Sequence, residues 1–557
     1  MSARRIAGPA WGPVRLTVAL LGVLLIVVGG SGVAGASVGN PGVHAPIIGS
    51  GSTWSANALQ AWIRNVWANY QWKITFSESG STQGRNDFAN GTADFGVSEI
   101  PYGIANSNEG DQRPGRGFAY MPIVAGGTAF MYNLQIGGKR VTNLRLSGDT
   151  VAKIFTGVIT SWDDPQIKAD NPALALPAVP IVPVVRSDGS GATAQVSIWL
   201  RQEHSALWDA YCGKVGRPLI DGHCGVTSNY PVVPGSGFVA KSGSNGVAGY
   251  VAQGHAVGSI TFVEYSYALN SGYPVAKVLN ASGYYTEPTA SNVAVGLLSA
   301  QINEDTASPD YLTQDLSQVY RSADARTYPL SSYSYIILPT SQDAGFSPDK
   351  GRTLADFGAY FLCEGQQSAE TLGYSPLPIN LVQAGQAQIQ KIPGGDPVIK
   401  GISDCNNPTF SPDGSNRLAN EAPYPPECDK QGPTQCATGT GGAAETPTAQ
   451  TGTSDQAADQ AAGGAAGGAA ATDDAAVAGD GSLGADAGLL DGSAAPATVA
   501  GSPQELPGAA PGILPRLAVA GAGTGMLAAA ALPPLLGRRS RRNLLPAPRP
   551  PTHPEGA

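Results

Sequence analysis

The sequence predicts an α/β fold, and three observations carry that expectation. Short apolar runs alternate with stretches whose apolar residues recur at helical spacing. The junctions from strand to helix are marked by glycine, serine and threonine rather than by long loops. The alternation continues over residues 45–425, a length that suits two α/β lobes better than one barrel.

Residues 47–51 read as a short opening strand. Leu59, Trp62, Ile63, Val66, Trp67 and Tyr70 then recur at helical spacing, which predicts an amphipathic helix over 55–70 with Thr53 or Ser55 as its N-cap. At that spacing Trp62, Trp67 and Tyr70 read as core residues. Residues 72–76 alternate as a strand, and Ser79-Gly80-Ser81-Thr82-Gln83-Gly84 turns into a helix through Phe88 and Ala89. Thr92-Ala93-Asp94-Phe95-Gly96-Val97-Ser98 returns as a short buried strand ending at Glu99. A strand over 119–134, a helix near 147–156 and an apolar run over 179–184 follow. That run leads into Val185-Arg186-Ser187-Asp188-Gly189-Ser190-Gly191-Ala192-Thr193, ahead of a helix-like stretch over 194–203. Strands over 256–263 and 334–338 and helices over 291–303 and 353–363 complete the globular part.

The ends of the chain have different compositions. Arg4, Arg5 and Arg15 precede an apolar run over 16–28, and Ala34-Gly35-Ala36 fits a cleavage site, so residues 1–36 read as a signal peptide and the protein as exported. From 437 to 515 Gly, Ala, Thr, Asp and Pro dominate, which predicts a disordered linker spanning roughly 50 Å on average. Residues 517–536 are uncharged and are followed by Arg538, Arg539, Arg541 and Arg542. That pattern predicts a transmembrane helix with a cytoplasmic basic tail over 537–557, holding the globular part on the outer face of the cell membrane.

Six cysteines, Cys212, Cys224, Cys363, Cys405, Cys428 and Cys436, lie beyond the leader, and an even number in an exported chain predicts disulfides. Sequence neighbours favour 212 with 224, 363 with 405 and 428 with 436, among fifteen possible pairings. A net charge of −9 argues against a nucleic-acid partner. None of the five histidines stands in an H-E-x-x-H pattern, there is no C-x-x-C pair and no G-x-S-x-G elbow, so neither a metal, a cofactor nor a catalytic residue is expected. Asp163-Asp164 after Trp162 reads as a helix cap.

Three Gly/Ser/Thr turns stand at strand-to-helix junctions: Gly51-Ser52-Thr53-Trp54, Gly80-Ser81-Thr82 and Asp188-Gly189-Ser190-Gly191. Each offers hydroxyls and the open amides of a helix start, where an oxyanion is favoured. Singly, each is more often a plain cap. Together, around Arg186, they describe neutral donors arranged about one cation, a site that grips an anion and releases it.

The chain resembles the periplasmic phosphate-binding proteins of high-affinity phosphate ABC transport, the PstS family. The resemblance lies in Gly49-Ser50-Gly51-Ser52-Thr53-Trp54, Ser79-Gly80-Ser81, Ala93-Asp94-Phe95-Gly96-Val97-Ser98-Glu99 and Arg186-Ser187-Asp188-Gly189-Ser190-Gly191. Ile154-Phe155-Thr156-Gly157, Trp162-Asp163-Asp164, Gly258-Ser259-Ile260 and Val263-Glu264-Tyr265 support it, in the family's order over 45–400. It implies a two-lobed type II periplasmic-binding-protein fold, with one lobe over 45–126 and 328–430 and the other over 127–327. It also implies capture of inorganic phosphate between the lobes, without turnover, and delivery to an ABC permease and its ATPase. Carried over, Ser52, Thr53 and Trp54 donate from the first helix start, Ser81 gives hydroxyl and amide, and Arg186 is a charged fork oriented by Asp188. Ser190 and Gly191 donate from the second lobe, and Glu99 stands where the family has an aspartate that accepts the phosphate's proton. Glu99 is one methylene longer, which requires a roomier cavity or a folded-back side chain, and Ala192 stands where the family has a donor threonine, so one hydroxyl is lost unless neighbouring Thr193 substitutes. A surface phosphatase, a phosphate sensor and a binder of another oxyanion are the alternatives on the same fold.

Overall fold

A computed structural model describes residues 43–448, apart from 108, 398–400 and 402–403. The fold is mixed α/β. It opens with β1 (Ile47–Gly51), α1 (Ala56–Tyr70), β2 (Ile74–Ser77), α2 (Ser81–Ala89) and β3 (Phe95–Ser98). The long strand β4 (Phe118–Tyr132) follows, then α3 (Gly148–Phe155), β5 (Val182–Arg186), α4 (Gly191–Glu203) and α5 (Ser205–Val215). Next come β6 (Val239–Lys241), α6 (Gly243–Val251), β7 (Ser259–Glu264), β8 (Val275–Leu279) and α7 (Ala290–Leu297). The strand β9 (Ser331–Pro339) and the helix α8 (Pro348–Leu362) follow.

The helices form where sequence pattern and caps agree. Ser147 caps α3 and Ser190 caps α4, each accepting an amide of the first turn, and Ser347 does the same for α8, whose Pro348 suits the first helical position. Asp164 caps the short helix after Trp162, as its position predicts. Helix α1 buries Leu59, Trp62, Ile63 and Val66 but leaves Trp67 and Tyr70 about half exposed. Those two aromatics lie off the core face, and Tyr70 stacks on Trp72 with ring centroids 4.7 Å apart.

The sheet runs in the order β6-β5-β7-β4-β9-β3-β1-β2, with β8 also beside β4. Strands β1, β2 and β3 are parallel, as are β5, β6 and β7, so in each group the strand ends and helix starts gather on one edge. The 15-residue β4 belongs to both groups: residues 118–127 pair antiparallel with β9, and residues 128–132 pair antiparallel with β7. At the change of partner stand Gly126 and Gly127. A Cβ on Gly126 would lie 2.6 Å from the Trp54 ring, and one on Gly127 would lie 2.4 Å from Pro288 Cβ, so only glycine lets the strand pass between them.

The disulfides are Cys212–Cys224, Cys363–Cys405 and Cys428–Cys436, the pairing favoured by sequence neighbours. The first ties α5 to the hairpin that follows it. The linker expectation needs a correction at its start. Residues 437–448 pack on the fold rather than leaving it: Thr440 Oγ1 donates to the Val275 carbonyl at 2.5 Å, and the Thr142 amide donates to Thr448 Oγ1 at 2.7 Å. A Cβ on Gly442 would sit 2.5 Å from the Ala268 carbonyl, so glycine here serves close approach rather than freedom. The signal peptide over 1–36, the rest of the linker, the span over 517–536 and the tail over 537–557 lie outside the described residues. Among the described residues no helix is long and apolar enough to cross a membrane.

Candidate functional site

The three turns singled out in the sequence meet at one place between the two strand groups. From the β1 side, Ser52 and Thr53 fill the turn into α1; both are buried. The Ser52 hydroxyl accepts the Trp54 amide at 2.9 Å, and the Thr53 hydroxyl lies 2.7 Å from Ser244 Oγ. Ser81 opens α2 behind Gly80, whose φ of 93° lies in the region that favours glycine. Glu99 directly follows β3 and is 1% exposed.

From the β5 side comes Arg186, the last residue of its strand and 3% exposed. Its Nε donates to Asp188 Oδ1 at 2.7 Å, and Nη2 donates to Asp188 Oδ2, a forked pair that fixes the guanidinium plane. Nη1 crosses to Thr53 Oγ1 at 2.9 Å and also reaches Ser190 Oγ at 3.1 Å. Burial alone pushes the Asp188 carboxyl up, but the Arg186 hydrogen bonds and charge and the Gly243 amide outweigh it and leave Asp188 below the usual range. Asp188 is therefore the ionised partner that orients Arg186 and offsets its charge.

The two sides touch through polar atoms. The Gly191 amide at the start of α4 donates to Ser81 Oγ at 3.0 Å, and Ser81 Oγ donates to Glu99 Oε2 at 2.8 Å. The Thr82 amide donates to the Gly189 carbonyl at 3.2 Å, and Thr82 Oγ1 lies 2.7 Å from Ser228 Oγ. A Cβ on Gly191 would stand 1.8 Å from Glu99 Oε2 and 2.7 Å from Ser81 Oγ. The longer Glu99 side chain thus fits because the facing residue has none. Burial pushes the Glu99 carboxyl up, against the lowering hydroxyls of Ser52, Ser81 and Ser334.

Ser52, Thr53, Ser81, Glu99, Arg186, Asp188, Ser190 and Gly191 are thus brought together. Trp54 is adjacent, but its amide is taken by Ser52 and its ring packs edge-on to Tyr374, with centroids 5.9 Å apart. Thr193 Oγ1 is buried with no hydrogen-bond partner among the described residues, and the Thr193 amide donates to Ser190 Oγ at 3.3 Å.

Three participants were not read from the sequence. Ser244 follows Gly243 at the β6-to-α6 junction and shares Thr53 with Arg186; its Gly-Ser turn is the same signal as the others. Gln195, on α4, donates to the Glu99 carbonyl at 2.8 Å. Ser334, in the middle of β9, donates to Glu99 Oε1 at 2.9 Å and carries no local signal at all. Among the described residues no group of acidic, histidine or cysteine side chains is placed to hold a metal.

Two strand groups joined by long crossing strands, with helix starts converging on one buried arginine, define a solute-binding architecture. A family model described as the PBP superfamily domain matches residues 32–364. The phosphate-binding protein PstS of Xylella fastidiosa (strain 9a5c) is 32% identical over 343 residues, covering 61% of this chain and 84% of that protein. The PstS protein of Methanocaldococcus jannaschii is 29% identical over 355 residues, covering 62% of this chain and 85% of that one. The chain belongs to the PstS-type phosphate-binding proteins of the PBP superfamily.

Proposed function

We propose that this chain binds inorganic phosphate between two lobes and hands it to an ABC permease, without chemical turnover. The two lobes are the two strand groups, and β4 and β9 are the hinge between them. The observation that carries the reading is the Arg186–Asp188 fork, held against Thr53 and facing Ser81, Glu99 and the start of α4. One cation half-neutralised by its own aspartate, among hydroxyls and amides, suits an anion that must be bound tightly and still leave. The relatives that match over most of their length are named for the same ligand.

Glu99 supplies the selectivity. Phosphate at neutral pH keeps at least one proton and sulfate keeps none. A buried carboxylate is a partner for the first and an unpaired repulsion for the second, a mismatch worth several kcal/mol. Export by the leader over 1–36, and anchoring through 517–536 on a linker long enough to reach a permease, belong to the same proposal.

Equilibrium dialysis of the purified chain against labelled phosphate tests the reading. Saturable one-to-one binding well below millimolar phosphate is expected. Absence of saturable binding in that range would overturn it.

A further inference from the structure

Ser334 is a buried hydroxyl set among apolar neighbours: Tyr333, Tyr335, Ile336, Ile337 and Leu338 around it are all core residues. It stands where the register of β9 against β4 shifts, between Ser334 and Tyr335. Its Oγ lies 2.9 Å from Glu99 Oε1 and 3.0 Å from Ser55 Oγ. A hydroxyl has one proton to give. Ser334 is placed to donate to either acceptor, and the carboxylate, the stronger and nearer one, takes the proton in preference to Ser55. Ser81 repeats the arrangement on the other carboxylate oxygen, donating to Glu99 Oε2 while accepting the Gly191 amide. Each oxygen of Glu99 therefore faces a hydroxyl that donates to it, and a proton on Glu99 would collide with one of them.

We propose that Ser334 is a specificity-determining residue for oxyanion capture, which with Ser81 keeps Glu99 an acceptor and so keeps fully ionised anions out. The inference rests on the phosphate-binding reading above. It extends the recognition site to the crossing strand, which no ligand-binding turn contains.

The direction of the effect follows from the forces on Glu99. Burial pushes its carboxyl up, and the hydroxyls of Ser52, Ser81 and Ser334 pull it down. Removing Ser334 therefore favours the protonated acid, which is a donor that sulfate can accept. The other titratable groups facing Glu99 are few. Tyr335 on β9 is buried and pushed well up, Arg201, Asp315 and Tyr320 share with Glu99 a cavity of about 270 Å³, and across the cleft Arg186 is paired with Asp188. Gln195 contacts only the Glu99 carbonyl.

The test is sulfate competition against labelled phosphate, measured from pH 5 to 8 on the wild type and on Ser334→Ala, Ser334→Thr and Ser55→Ala. In the wild type, sulfate is expected to compete only at the acid end. In Ser334→Ala the onset moves to higher pH, and sulfate competes about tenfold better at neutral pH, the factor carried by one charge-assisted hydrogen bond. Ser334→Thr restores the wild-type onset. Ser55→Ala, which removes the competing acceptor of the Ser334 proton, moves the onset to lower pH and keeps the test open where Ser334→Ala folds poorly. An unchanged sulfate-to-phosphate ratio at every pH in both alanine variants overturns the inference while leaving phosphate binding intact. A wild type that binds no phosphate overturns the functional reading, and this inference with it.

Discussion

Replacing Arg186 by alanine is expected to raise the dissociation constant for phosphate by two to three orders of magnitude, the equivalent of about 3–4 kcal/mol. Two losses add. The variant gives up the cation of the site, and it leaves Asp188, which the Arg186 hydrogen bonds and charge hold ionised against the pull of burial, as a bare carboxylate facing the ligand. Arg186→Lys is expected to recover only part of the loss, because an ammonium cannot fork onto both Asp188 oxygens and still reach Thr53 and Ser190. Titration calorimetry measures the affinity, and a thermal melt without ligand separates lost binding from lost fold. An affinity within tenfold of wild type for Arg186→Ala would remove the arginine from the account.

Gly191→Ala is expected to weaken phosphate binding by roughly 10–100-fold, the 1–3 kcal/mol typical of overpacking a tight site. Gly191 is the first residue of α4, and its φ is not in the positive range, so alanine suits the helix itself. The conflict arises only across the cleft, where the new Cβ would stand 1.8 Å from Glu99 Oε2. The expected signature is therefore a melting temperature equal to wild type or slightly higher without ligand, together with a smaller gain on adding phosphate. Pairing it with Glu99→Asp, which shortens the opposing side chain, is expected to recover part of the affinity. A Gly191→Ala protein that binds phosphate as the wild type does would show that the two sides do not meet at this point during capture.

Much of the fold was legible because its signals are local. The helix spacing over 55–70, the buried strand ending at Glu99 and the turn after Arg186 each announce themselves within a dozen residues, and the structure places Ala56–Tyr70, Phe95–Ser98 and Gly191–Glu203 there. Ser334 could not be found that way. Its partner Glu99 lies 235 residues earlier, and in sequence Ser334 looks no different from Ser331 of the same strand, which donates to a backbone carbonyl. Residues 437–448 misled for a different reason. Their small, polar composition is that of a coil, yet Thr440 and Thr448 dock by hydroxyl bonds and Gly442 by close approach, interactions that need little apolar surface. The length of Glu99 was visible, but its accommodation was not, because the space comes from Gly191 on the other side of the cleft.

The central claim is that one buried cleft selects a protonated oxyanion through Arg186 and Glu99. Its most direct test is a pair of calorimetric titrations of the wild-type chain at pH 7, one with phosphate and one with sulfate. A saturable single-site isotherm is expected for phosphate and none for sulfate at the same concentrations. Equal binding of the two anions, or sulfate binding alone, would contradict it.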